Sequence, residues 1–159
     1  MNQFRVTKYD PAHRDITGAY LLDDWTSYSD IGRVFGDTML SPQRYKAVED
    51  AYVSAALSFL KESGVTHLRV AGLENSQASE DAPSEGQDLS LGEIEPVLRG
   101  LLRERFWCRL EAADSFVHVG WDYYMYLGVP RECPAASAVA SAQGLFVESF
   151  SSPYAPSAA

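Results

Sequence analysis

The sequence predicts one α+β domain: a mixed or antiparallel sheet packed against about three helices. Three observations predict it. Segments near 4–9, 67–73 and 107–129 alternate apolar and polar residues or are rich in β-formers. Segments at 41–64 and 90–105 repeat apolar residues at helical spacing, and an alanine-rich stretch follows at 133–144. A chain of 159 residues suits a single core. The order β, α, β, α, β, β, α, β places helices against one sheet.

FRVTKY (4–9) reads as a strand, and DPAHRDITGAY as a connection. LLDDWTSYSDIGRVF (21–35) reads as a short helix or irregular chain, with Asp24 placed to cap a helical turn. The clearest element is 41–64. Ser41 is a natural N-cap, Pro42 fits the first helical position, and Gly64 stops the helix. Tyr45, Val48, Tyr52, Ala55, Phe59 and Leu60 form its apolar stripe. Glu49 and Asp50 lie off that stripe, facing solvent or a neighbour.

HLRVAGL (67–73) reads as a strand. Residues 76–90 are polar and acidic, which predicts a mobile loop. Ser90 and Glu93 have capping-box spacing before a helix that runs to about Arg105. Pro96 either delays the start of that helix to near Glu95 or kinks it. WCRLEA and the stretch after Ser115 read as a hairpin. Residues 133–144 follow as a helix and 145–150 as a last strand. The domain is expected to span 1–150, with 151–159 a flexible tail.

FVHVGWDYYMYLGVP (116–130) holds the densest chemistry. Alternation assigns Val117, Val119, Trp121, Tyr123, Met125, Leu127 and Val129 to the core. Phe116, His118, Asp122, Tyr124 and Tyr126 fall on a mixed face. One long strand, bent at Gly120, fits this alternation better than two short strands about a turn at Gly120–Trp121–Asp122. On a straight strand His118 and Asp122 stand roughly 13 Å apart, too far to hydrogen-bond.

The net charge of −9 argues against nucleic-acid binding, which needs a basic surface. The charge is concentrated: residues 76–98 carry Glu80, Asp81, Glu85, Asp88, Glu93 and Glu95 and no base. Such a segment is either a solvated loop or a docking surface for a basic partner. MNQFRVTKYD lacks the apolar core of a signal peptide, and no apolar run nears the ~20 residues of a membrane helix. The expectation is a cytoplasmic protein that acts on neither nucleic acid nor membrane. Cys108 and Cys133 form no CxxC pair and read as free thiols. HExxH, GxSxG, EF-hand and phosphate-loop patterns do not occur, and Asp23, Asp24 and Asp30 match no metal-loop spacing. No catalytic residue, metal or cofactor is expected.

The blocks RVTKYDPAHRD, DDWTSYSDIG, YKAVEDAYVSAALSFL, RFWCRLE, FVHVGWDYYMYLG and GLFVESFSSPY occur in this order. In this the chain resembles a small family of bacterial cytoplasmic proteins encoded near polymorphic or contact-dependent toxins. The likeness spans nearly the whole chain except 76–90. It implies an immunity role: binding a cognate toxin and neutralising it. A toxin with a basic active-site cleft would suit the acidity of this chain. The likeness implies no role for any single residue.

The leading expectation is therefore a non-catalytic binding protein. Its contact surface is expected in the acidic segment (Glu80, Asp81, Glu85, Asp88, Glu93, Glu95), in the Asp23, Asp24, Tyr28 and Asp30 region, and on the mixed strand face (His118, Asp122, Tyr124, Tyr126). The alternatives are an enzyme using His118 with Asp122 or Asp30, and a scaffold that self-associates through the aromatic strand face.

Overall fold

The computed structural model describes residues 1–155. In chain order the strands and α-helices are β1 (Asn2–Thr7), β2 (Val34–Phe35), β3 (Thr38–Met39), α1 (Pro42–Glu62), β4 (His67–Glu74), β5 (Asp88–Ser90), α2 (Leu91–Leu102), β6 (Trp107–Ala112), β7 (Ser115–Val119), β8 (Met125–Val129), α3 (Pro134–Ala142) and β9 (Phe146–Ser149). Among the described residues, seven strands form one sheet in the order β5-β4-β6-β7-β8-β1-β9. Every neighbouring pair is antiparallel. β2 and β3 form a separate hairpin. No helix of the described residues is long and apolar enough to cross a membrane.

One face of the sheet carries the core. Val6, Leu68, Val70, Cys108, Leu110, Val117, Met125, Leu127 and Val129 point to the helices, where Tyr52, Phe59, Leu60, Ile94, Leu98 and Ala140 meet them. Each large side chain so buried stabilises by about 1.5–3 kcal/mol. The Ser41 hydroxyl accepts the Arg44 N–H at 3.1 Å, and α1 begins there. The Ser90–Glu93 box is formed as well. α2 therefore starts at Leu91, and Pro96 sits inside it on the exposed side. Glu62, in the last turn of α1, accepts from the Ala135 and Ala136 N–H groups and so caps α3.

Several expectations are settled or corrected. Between 21 and 35 the chain takes the irregular course rather than the short α-helix, with a 3-10 turn at Tyr28–Asp30 and strand β2 at its end. Of the two readings for Glu49, solvent or a neighbour, the neighbour holds: it is fully buried between α1 and α2. Arg103 grips its carboxylate at 2.7 and 2.8 Å, Arg99 adds a third donor at 3.1 Å, and the Tyr45 hydroxyl a fourth at 3.2 Å. The acidic stretch 76–90 is tied down. The Glu85 carboxylate accepts the Gly72 and Leu73 N–H groups at a bulge in β4, and residues 88–90 are strand β5.

The stretch 116–129 is not one strand. β7 and β8 pair antiparallel about a turn closed by Gly120 N–H donating to the Tyr124 carbonyl at 2.8 Å. Within this turn Tyr123 takes a left-handed backbone (φ 66°), and Trp121 lies outside the core at 56% exposure. Alternation holds on both sides of the turn and fails within it.

The tail is also corrected. From β9 the chain folds back across the helix-free face of the sheet. Phe150 N–H donates to the Gln3 carbonyl, Ser152 N–H to the Gln3 side chain, and the Tyr154 ring packs against Trp107 and Tyr126. Residues 151–155 are thus part of the fold. The remainder of the expected tail, 156–159, lies outside the described residues.

Candidate partner-binding surface

β1 and β7 end, and β8 begins, at the same end of the sheet, because Val6 and Val119 both pair with Met125. The long insertion 8–40 leaves from this end, and the turn 120–124 closes it. The Tyr9 hydroxyl joins them: it donates to the Asp122 carbonyl at 2.7 Å and lies 3.4 Å from the Trp25 carbonyl. Trp25 is buried against Tyr45 and Tyr123, which anchors the insertion in the core.

The acidic residues of the insertion mostly hold it in shape. Asp24 pairs with Lys8 at 2.8 Å, and the Lys8 ammonium lies over the rings of Tyr9 and Trp25 at 4.1 and 4.2 Å. Burial draws the Lys8 pKa down to about 8, with Asp24 opposing that shift. Asp30 is buried and accepts the Thr26 and Ser27 N–H groups, completing a capping box with Ser27. Tyr28 packs its ring on Tyr45, with the Arg103 guanidinium 5.2 Å away. Asp23 is exposed, and its carboxylate accepts the Gly36 N–H at the tip of the β2–β3 hairpin. Asp23 and Asp24 line a cavity of about 150 Å³ together with Tyr20, Leu22, Phe35 and Arg44.

This frame presents apolar side chains to solvent. Leu21, Leu22, Val34 and Met39 are half or more exposed, Ile16 is fully so, and Tyr28 contributes an edge. Val34 and Met39 are direct cross-strand partners on the outer face of the hairpin. Trp121 projects from the neighbouring turn beside exposed Asp122. Sequence reasoning missed Leu21, Leu22, Val34, Met39 and Trp121. The hairpin had a readable signal. Gly36–Asp37 between two β-prone pairs is a two-residue loop, and Gly36 takes the positive φ (58°) that such loops require at their first position.

The acidic segment is a less naked charge than its sequence suggests. Arginines from outside it meet four of its six acids or their surroundings. Asp81 pairs with Arg105, Asp88 with Arg69 and Glu95 with Arg99, while Arg109 lies near Glu85. Glu93 caps its own helix, and Glu80 is exposed.

The mixed strand face is covered. His118 is fully buried, and Tyr126 nearly so. Tyr124 stacks on Tyr9 at 4.9 Å, flanked by the guanidinium groups of Arg5 and Arg14. His118 stacks on Phe116 at 4.2 Å. Its Nδ1 lies 2.7 Å from the Ser152 hydroxyl and its Nε2 3.1 Å from Glu111. Neither Asp122 nor Asp30 is its partner. Ser152, His118 and Glu111 are linked as a nucleophile, base and acid would be. Two features deny this triple that chemistry. The histidine has no exposed surface. The Ser152 oxygen, itself almost wholly buried, already accepts the Tyr154 N–H at 3.1 Å. No electrophile reaches it in this conformation. The triple is a latch that holds the C-terminal segment down.

Compared with protein-family models, with curated proteins and with solved structures, the chain matches none.

Proposed function

We propose that the chain is a non-catalytic protein-binding domain of the immunity type, which neutralises a toxin by covering it. The observation that carries this is the set of exposed apolar side chains on a braced insertion: Leu21, Leu22, Val34 and Met39, with Trp121 alongside. Isolated exposed leucines are ordinary, but a concentration on one buttressed element marks a contact site. Asp23, Asp37 and Asp122 are exposed around it, and the whole chain carries −9. The rim also holds exposed Arg33 and Arg44, so the preference for a basic partner rests on the acidity of the whole chain around an apolar centre. The toxin class of partner rests on the resemblance in the sequence blocks. The burial of His118 with Ser152 and Glu111 does not favour the enzymatic alternative, and the C-terminal residues 150–155 lying over the strand face do not favour self-association through it.

Co-expression with the toxin domain of a large secreted protein, sought among the neighbouring genes, tests the reading. The parent protein restores growth. Val34→Asp and Trp121→Ala weaken binding by about 30-fold or more each, the effect of losing a contact hot spot, and rescue falls with it. Their melting temperatures match the parent because both side chains are exposed. Full rescue by both variants, or failure of the parent to bind, contradicts the proposal.

A further inference from the structure

We propose that residues 150–155 form a strap whose closure over the helix-free face of the sheet is governed by protonation of His118. This stands apart from the partner-binding reading, since it concerns the opposite face of the sheet from the helices and no residue of the insertion.

The strap crosses four strands. Phe150 lies over the Arg5 guanidinium on β1 at 3.8 Å and near Tyr126 on β8. Ser152 sits on His118 of β7, and Tyr154 on Trp107 of β6. Its polar anchors are Gln3 and His118. Gln3 cannot titrate, so pH acts on the strap through His118.

The hydrogen bonds fix the proton positions. The Glu111 carboxylate only accepts, so Nε2 carries the proton of the neutral ring. Nδ1 then offers a lone pair, and the Ser152 hydroxyl donates to it. The Ser152 oxygen in turn accepts the Tyr154 N–H. Every group is satisfied. A second proton on the ring turns Nδ1 into a donor. Ser152 must then accept from both His118 and Tyr154, and its own hydroxyl proton is left buried without an acceptor.

The charges around the ring decide the direction. From β6, Glu111 favours the imidazolium, but Arg109 lies 3.4 Å from that same carboxylate and opposes it. From β8 comes Tyr126, and from the strap Tyr154; both are neutral, and burial raises the pKa of each hydroxyl. On β7 itself the neighbour is Phe116. Arg69, across from Glu111 on β4, is occupied by Asp88. Burial outweighs Glu111, and the His118 pKa falls below its ordinary 6.5. The released strap leaves His118 hydrated, with an ordinary affinity for protons. The released state therefore binds more protons as pH falls through 6.5, and acid pulls the strap open. Opening bares Phe116, Tyr126 and Trp107, an aromatic face absent at neutral pH.

Amide ¹H–¹⁵N spectra of the full chain between pH 8 and pH 4.5 test this. The Ser152 and Tyr154 cross-peaks should move together with a midpoint below 6.5, while those of α1 stay in place. Glu111→Gln keeps an acceptor for Nε2–H but removes the charge that favours the imidazolium in the closed state, so the gap to the released state widens and the strap should open at a higher pH than in the parent. Arg109→Gln removes the opposing charge, narrows that gap and should shift opening to lower pH, which gives a second reading if the first variant does not fold. Strap resonances that hold until the whole protein unfolds would overturn the proposal. So would midpoints that are identical in the parent and in whichever charge variants fold.

Discussion

Glu49 and Lys8 are buried charges with opposite fates. Glu49 has four donors around it, and Arg103 grips it bidentately. Glu49→Ala strands Arg103 and Tyr45 and should cost about 3–5 kcal/mol, as breaking a buried pair does. Urea denaturation measures it; a loss under about 1 kcal/mol, the cost of a surface pair, would mean that the cluster is incidental. Lys8 has one carboxylate and two ring faces, and burial wins. Below about 8 it is charged both folded and unfolded, so its contribution is flat. From about 8 to 10.5 the folded state has released the proton and the unfolded state has not. Stability from this group therefore rises with pH across that window and levels off above it. The ¹³Cε shift of Lys8 should titrate with a midpoint near 8. A midpoint at the ordinary 10.5 would show that the ammonium is hydrated.

At the scale of elements, local signals were readable and distant ones were not. The Ser41 cap, the Ser90–Glu93 box and the stripe from Tyr45 to Leu60 depend on residues a few positions apart, and each formed as the spacing implied. The break between β7 and β8 was hidden because five turn residues preserve the alternation on either side, so β8 resumes in phase with β7. Glu62 is a cap that no local pattern reveals, since the N–H groups it serves lie 73 and 74 residues away. Its carboxylate satisfies two free donors of α3 and opposes the positive end of that helix. Glu62→Ala should destabilise by about 1 kcal/mol and speed amide exchange in the first turn of α3 before anywhere else. Unchanged exchange there would mean that solvent caps the helix equally well.

Over the whole molecule, the fold class was legible and the surface was not. Charge bias at 76–98 looked like a docking patch because the arginines that answer it come from β4, from α2, from the α2–β6 connection and from β6. The mixed strand face looked available because its cover, Ser152 and Tyr154, arrives from the far end of the chain. Most of the exposed large apolar side chains lie at the end built from residues 16–39 and Trp121, while Met1, Val139 and Phe150 are exposed elsewhere. With a net charge of −9, association with a basic partner should be steered electrostatically. The association rate should fall about tenfold or more between low and high salt, while dissociation changes little. A rate independent of salt would argue against a basic rim on the partner.

Hydrogen–deuterium exchange decides between the two candidate surfaces, comparing the free chain with the chain bound to a toxin domain whose growth inhibition it relieves in co-expression. New protection is expected at residues 20–40 and 120–124, with the acidic segment 76–95 unchanged. Protection confined to 76–95, with the insertion and the Trp121 turn exchanging as in the free protein, would contradict the proposed surface.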